Sequence, residues 1–373
     1  MSPLARRHLI QFLMFLVVLY VFFVSIEMMS AAFKLFGKGF AQNLMTTTSN
    51  PVVGLMIGIL ATSLVQSSSA TTSIIVGLVA GGSLSIGNAI PMVMGANIGT
   101  TVTNTLVSIG HIGRRNEFSR ALAGATVHDF FNILAVTVFL PVEILTGFIE
   151  KTATFLANAF NSVGGLEFAS PLKAVVKPTS NLIVDLFKEL IREPAWMTAF
   201  LLLVFALTVL FTALKYMVDF MKKLTMGRVE NLLHQYLFKS PVSSLLLGLT
   251  VTAIIQSSSA TTSLIVPIVG AGILSVQQIF PYVLGTNIGT TITAILASLV
   301  TKNPACLTVA FAHLTFNLAG TVFFYPLKWI PITLALQFGA FTSKHRYLAI
   351  AYLLVCFFGI PLLIIFLLKE GGV

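Results

Sequence analysis

Charge is what this chain has least of. Only 9% of its 373 residues are Asp, Glu, Lys or Arg, and only 12 are acidic. A soluble domain carries about 25% charged residues to cover its surface. A chain that is 56% hydrophobic, with mean hydropathy +0.95, cannot do that. Its outer face must meet lipid, so the bilayer is its first partner. Cysteine is scarce too: Cys306 and Cys356 lie in apolar segments and form no metal-like pair. No His/Cys/Glu metal spacing and no nucleotide-binding glycine loop occurs, so nothing supports an enzyme or a resident cofactor. The net charge of +10 would suit nucleic acid, but the basic residues punctuate apolar runs (Arg6 and Arg7, Arg114 and Arg115, Lys222 and Lys223, Lys344 and Arg346). Cytoplasmic loops look like that under the positive-inside rule, and the distribution argues against a nucleic-acid partner.

What is there is apolar length. Seven stretches can each cross a hydrocarbon core of roughly 30 Å as a helix of about 20 residues. They are 9–33, 86–109, 119–145, 196–218, 276–300, 305–326 and 347–368. Pro51–Val65 is shorter, and polar residues 66–73 separate it from a second short apolar run. Neither half can span, so segment 51–82 predicts a re-entrant hairpin, whose polar break must be buried in protein or line a watery cavity.

Segment 241–272 predicts a second hairpin, because the first is duplicated there. Gln66-Ser67-Ser68-Ser69-Ala70-Thr71-Thr72-Ser73 returns as Gln256-Ser257-Ser258-Ser259-Ala260-Thr261-Thr262-Ser263, an offset of 256 − 66 = 190. Asn97-Ile98-Gly99-Thr100-Thr101 returns as Asn287-Ile288-Gly289-Thr290-Thr291 at the same offset. His128-Asp129-Phe130-Phe131-Asn132 is echoed by His313-Leu314-Thr315-Phe316-Asn317 at 313 − 128 = 185. Such in-frame identity is a duplication. The expected fold is therefore an all-α polytopic membrane protein, one transport domain over 1–373 with about seven full spans. Repeat 1 covers 51–147, an extracytoplasmic loop 148–195, repeat 2 241–330 and a terminal span 347–368. Counting crossings from Arg6–Arg7 inside, the first hairpin enters from outside and the second from inside. That makes the repeats inverted, the arrangement used for alternating access.

The hydroxyl strings offer neutral donors and acceptors. At a hairpin tip, backbone N–H groups of a half-helix favour an anion. Carbonyl and hydroxyl oxygens suit a hard cation such as sodium. One string alone also reads as a structural break whose hydroxyls bond back to the helix. Two copies, each followed by Asn-Ile-Gly-Thr-Thr, favour a site. Asp129, deep in an apolar span, is a functional candidate by default, with a buried salt bridge as its alternative. Asn132 shares its helical face. His128 and His313 read as helix-packing hydrogen bonders.

These residues resemble the type II sodium-dependent phosphate cotransporters. The resemblance rests on the paired Gln-Ser-Ser-Ser strings, the 95–100 and 285–290 segments, and the run from Ala121 to Asn132. It implies a phosphate site of Gln66, Ser67, Ser68, Ser69, Asn97, Thr100, Ser257, Ser258 and Ser259. It implies sodium held by Asp129, Asn132, Gln256, Thr286, Asn287, Thr290 and Thr293. Sodium ions and inorganic phosphate are then the cargo, and sodium is co-transported rather than a resident cofactor. Asp129 stands where electroneutral members have Gly, which implies electrogenic symport. The short middle segment without a glycosylation sequon or cysteine pair resembles bacterial members, implying the inner membrane of a bacterial cell. Family members look dimeric, although no interface signature stands in this sequence. One departure is His111-Ile112-Gly113-Arg114, where vertebrate members have Gln-x-Gly-Asp; Arg114 reads here as a topology signal. The alternatives are an anion-selective channel lined by the same hydroxyls, a sodium symporter of another small anion, and a non-transporting scaffold.

Overall fold

The computed structural model describes residues 3–162, 170–191, 194–236 and 240–370. Every regular element among them is helical, so the chain is an all-α polytopic membrane protein. Six helices are long and apolar enough to cross a bilayer: Leu13–Leu35, Arg115–Thr146, Ala195–Met217, Val276–Thr301, Pro304–Phe324 and Tyr347–Leu368. A seventh is counted if Gly37–Thr47 and Pro51–Val65, which meet at 103°, form one bent span.

The hairpins have the same construction in both repeats. Asn50 caps Pro51–Val65 and Ser240 caps Pro241–Ile255, each followed by proline at the first helical position, where its missing N–H costs nothing. Gln66 and Gln256 end these helices in the left-handed conformation, at φ 55° and 62°. Ser67 and Ser257 then lie extended and each accepts from the backbone N–H three residues on, at 3.2 Å, which starts the returning half. The returns are Ser68–Ala80 in repeat 1, and Ser258–Ser263 with Ile265–Gly270 in repeat 2. Gly82 and Gly272, at φ +74° and +78°, turn the chain into the next helix, capped by Ser85 or Ser275.

The outgoing half of each hairpin lies along the helix that comes after the hairpin, backbone to backbone. A Cβ on Gly58, Gly95 or Gly99 would run into the carbonyl of Met92, Leu55 or Ile59. On Gly248, Gly285 or Gly289 it would meet the carbonyl of Tyr282, Leu245 or Leu249. Helices in lipid pack through such small-residue seams because apolar bulk gives them no advantage over lipid tails.

The returning half of each hairpin packs against the other repeat. Ser68–Ala80 lies on Val276–Thr301 and Pro304–Phe324, while the short helices of the second hairpin lie on Val102–Ile109 and Arg115–Thr146. Further matched pairs are Pro3–Leu35 with Ala195–Tyr236, and Arg115–Thr146 with Trp329–Thr342 beside Pro304–Phe324 with Phe148–Ser162.

Three elements differ from the sequence expectation. The span at 86–109 is two helices, Ile86–Gly99 and Val102–Ile109, whereas Val276–Thr301 runs unbroken through the same Gly-Thr-Thr string. The two repeats diverge just beyond that string: Asn104 and Thr105 stand where repeat 2 has Ala294 and Ile295, and both bond to neighbouring elements. The segment 148–195 holds amphipathic helices, Phe148–Ser162 and Ser170–Leu190, while its residues 163–169 and 192–193 lie outside the described set. Ile149, Ala153 and Ala157, four apart, form the buried stripe of the first of these. Trp329–Thr342 is a 14-residue apolar helix that the spacing of spans did not predict.

Candidate functional site

The two hairpin tips meet. Ser67 and Ser69 of the first and Gln256 and Ser257 of the second line one cleft of about 220 Å³, whose wall is completed by Phe211, Leu214, Lys215 and Asp219. Ser69 Oγ crosses between repeats to the backbone carbonyl of Gln256 at 3.2 Å and to Thr293 Oγ1 at 3.3 Å. Thr293 Oγ1 donates to Gln256 Oε1 at 2.7 Å, while Gln256 Nε2 is tied to the Ala253 carbonyl. Four neutral oxygens from three elements therefore converge beside the cleft, a donor set of the kind hard monovalent cations take. The left-handed turn at Gln256 is what aims both its carbonyl and its amide at this point.

Behind the tips, two histidine–asparagine pairs join the repeats. His128 Nε2 faces Asn287 Oδ1, and His313 Nε2 faces Asn97 Oδ1 at 3.2 Å. Asn287 Nδ2 donates to Asn132 Oδ1 at 2.7 Å, and Asn132 Nδ2 donates to the Asn97 carbonyl at 2.8 Å. An amide oxygen only accepts, so each imidazole carries its proton on Nε2 and leaves Nδ1 bare; both Nδ1 atoms are buried without a hydrogen-bond partner among the described residues. All six side chains of the matched set, Asn317 included, are at most 2% exposed. The symmetry fails at the last position: among the described residues Asn317 bonds only to its own helix, at the His313 carbonyl, and its Oδ1 has no partner.

Asp129 is fully buried on the same helix as His128. Its Oδ2 accepts from Tyr352 Oη at 3.0 Å and from Thr105 Oγ1 at 3.4 Å. Its Oδ1 has no partner, and no basic side chain among the described residues pairs with it, so the salt-bridge alternative is not what the geometry presents. A bare carboxylate oxygen in an apolar interior costs several kcal/mol unless a cation meets it.

A family model described as Na+/Pi-cotransporter matches residues 21–168 and 209–365. The chain belongs to the Na+/Pi-cotransporter family. It is 35% identical over 425 residues to sodium-dependent phosphate transport protein 2A of Rattus norvegicus, covering 95% of this chain and 67% of that protein. It is 33% identical over 444 residues to sodium-dependent phosphate transport protein 2B of Homo sapiens, covering 95% of this chain and 64% of that protein. The chain thus spans about two thirds of the length of these relatives. No solved structure matches.

Most of the Na+/Pi-cotransporter residues anticipated from the sequence fall into three places. Ser67, Ser69, Gln256, Ser257 and Thr293 gather at the tips, and Ser259 Oγ lies 3.3 Å from Ser257 Oγ. Asn97, Asn132 and Asn287 form the crossing network, and Asp129 stands apart with Thr105 and Tyr352. Ser68 and Ser258 are buried at the starts of the returning halves, while the Gln66 side chain is exposed. Thr100, Thr286 and Thr290 bond back to carbonyls of their own helices, with oxygen lone pairs to spare. His111 and Arg114 flank Glu117 at 3.6 and 2.9 Å, at a helix start and away from this site.

Sequence reasoning missed Asn104, which accepts from Thr262 at 2.8 Å and Ser263 at 3.3 Å, and so ties the second hairpin to repeat 1. It stands three residues after Thr101, with Thr103, Thr105 and Ser108 beside it in a segment expected to span, a signal that was available. It also missed Lys215 and Asp219, one helical turn apart at the cleft.

Proposed function

We propose that the protein is a sodium-coupled importer of inorganic phosphate, taken up as divalent hydrogen phosphate, that alternates access between two inverted repeats. The observation that carries this reading is the meeting of the two Gln-Ser-Ser-Ser tips at one cleft in a Na+/Pi-cotransporter family member. The names of its relatives, sodium-dependent phosphate transport proteins, support the choice of cargo. The hydroxyls of Ser67–Ser69 and Ser257–Ser259 and the backbone N–H groups at the start of Ser68–Ala80 would hold the anion, with Gln66 at the exposed turn before them and the buried Asn97 and Thr100 completing the set. Sodium would take the oxygens of Gln256, Thr293, Thr286, Asn287, Thr290 and Asn132, and a further ion the free oxygen of Asp129. Two or three cations neutralise a divalent anion, so it can cross a low-dielectric interior. With three, each inward cycle carries one net charge and gains about 2.3 kcal/mol per 100 mV.

Inversion requires that Ile86–Gly99 and Val102–Ile109 together make one crossing, so that with 115–146 and 195–217 an odd number of crossings separates the hairpins. The setting proposed is the inner membrane of a bacterial cell, with the chain as a homodimer. The test is radiolabelled phosphate uptake into proteoliposomes with sodium replaced by choline. Saturable uptake that requires sodium is expected, with inward current under voltage clamp. Sodium-independent, non-saturating flux would mean an anion channel. Uptake that carries no net charge would remove the role given to Asp129.

A further inference from the structure

The terminal span is built around an irregularity. Tyr347–Leu354 is α-helical, Val355–Gly359 is a π turn, and Ile360–Glu370 resumes the α-helix. A π turn is poorer geometry than an α turn and persists where the shifted register is used. Upstream of it, Tyr352 Oη donates to Asp129 Oδ2 at 3.0 Å. The Tyr352 ring is seated between Phe338, at 4.8 Å between centroids, and Phe357, edge-on at 5.8 Å. Phe357 belongs to the π turn and is fully buried, so the irregular turn supplies one wall of the tyrosine's seat.

Tyr352 and Thr105 both donate to the same carboxylate oxygen, and the other oxygen has no hydrogen-bond partner among the described residues. Thr101, whose hydroxyl donates to the Ile98 carbonyl, stands beside the carboxylate as a third hydroxyl. A hydroxyl bond to a carboxylate is charge-assisted and directional. Two donors on Oδ2 fix the rotation of the carboxylate and leave Oδ1 facing away from them. Neither polar feature has a counterpart in repeat 2, where position 129 + 185 = 314 is leucine and position 105 + 190 = 295 is isoleucine.

We propose that Tyr352 is a positioning residue for the cation held by Asp129: it fixes one carboxylate oxygen so that the other is presented to sodium. This rests on the reading that Asp129 binds a sodium ion. Tyr352 therefore acts on sodium affinity and not on phosphate. Because Ile360–Glu370 packs along Pro51–Val65, the same span also joins this carboxylate to the outgoing half of the first hairpin.

The test uses the full chain in proteoliposomes and Tyr352→Phe, which keeps the ring between its two aromatic neighbours and removes only the hydroxyl. Sodium activation of phosphate uptake, phosphate KM at saturating sodium and charge moved per phosphate are measured. Tyr352→Phe should raise the half-activating sodium concentration by about tenfold, the size expected for one hydrogen bond to a charged group. Phosphate KM at saturating sodium should stay at the unsubstituted value. In an Asp129→Gly background, Tyr352→Phe should shift sodium activation no further. Thr105→Val, which removes the other donor, should raise half-activating sodium in the same direction and likewise lose its effect with Asp129→Gly.

The inference is overturned if Tyr352→Phe leaves sodium activation unchanged, moves phosphate KM instead, or shifts sodium activation equally in both backgrounds. If Asp129→Gly itself changes neither sodium activation nor charge movement, the reading of Asp129 fails and the role of Tyr352 falls with it. If Asp129→Gly changes both and Tyr352→Phe changes neither, only the tyrosine's assignment is lost.

Discussion

Gln256 combines two demands that usually fall on different residues. Its backbone must take a positive φ, which costs a non-glycine residue about 1–2 kcal/mol, and its side chain must deliver an oxygen to Thr293. Gln256→Gly separates them: the turn is relieved while the amide oxygen is lost. We expect thermal stability within about 1 kcal/mol of the parent, because relieved strain and glycine's extra chain entropy oppose each other. Half-activating sodium should rise about tenfold, the loss of one polar ligand. Unchanged sodium activation would take Gln256 out of the proposed sodium set. Asn287 poses a different question, because its two amide atoms satisfy His128 and Asn132 at once. Asn287→Leu strands a buried donor and a buried acceptor, at about 1–3 kcal/mol for each group left unpaired. Asn317→Leu should cost less, since Asn317 bonds only within its own helix. Unfolding in detergent, followed by tryptophan fluorescence, checks the order; equal losses would mean that the crossing network adds no stability.

Each hairpin is fixed by three glycines that leave no room for a side chain. Gly95→Ala or Gly285→Ala would push a methyl group into the carbonyl of Leu55 or Leu245, where backbone and not a flexible side chain must give way. Overpacking of this kind costs about 1–3 kcal/mol, and here it also parts the hairpin from its supporting helix. Gly113→Ala, where a Cβ would meet nothing within 4 Å, is the control. Thermal stability should fall for the first two and hold for the third; equal stability in all three would show that the seam relaxes freely. The hairpins were legible because polar tips interrupt apolar runs too short to span, twice at one offset. Phe148–Ser162 was read as loop because its apolar residues are interrupted by Glu150, Lys151, Asn158 and Asn161 and never make a run long enough to mark a span. Trp329–Thr342 was hidden because its apolar stretch adjoins that of the preceding span, so composition alone marks no border. The link between Asp129 and Tyr352 was illegible for another reason: the partners are 223 residues apart, and nothing local to either announces the other.

The proposed transport cycle depends on one property of the whole molecule, the opposite orientation of two halves built on one duplicated unit. The matched packing pairs show that each repeat treats the other as the other treats it, but packing alone does not say which ends face which side of a membrane. Orientation comes from the distribution of basic residues and from counting spans, and the count is sensitive to the broken helix at Thr100–Thr101. If Ile86–Gly99 and Val102–Ile109 together cross the bilayer, the hairpin mouths at Gly87 and Gln277, equivalent at 277 − 87 = 190, open on opposite sides. If they turn back at the break, both mouths open on the same side and alternating access between inverted halves is lost. Both positions are exposed. Gly87→Cys and Gln277→Cys, each in a chain whose Cys306 and Cys356 are replaced, can be labelled in intact cells with a membrane-impermeant maleimide. Gly87→Cys should react from outside, and Gln277→Cys only after the membrane is opened. Reaction of both from the same side would reject the inversion while leaving the tip cleft and its residues in place. The outcome therefore bears on how the site is reached, separately from what it binds.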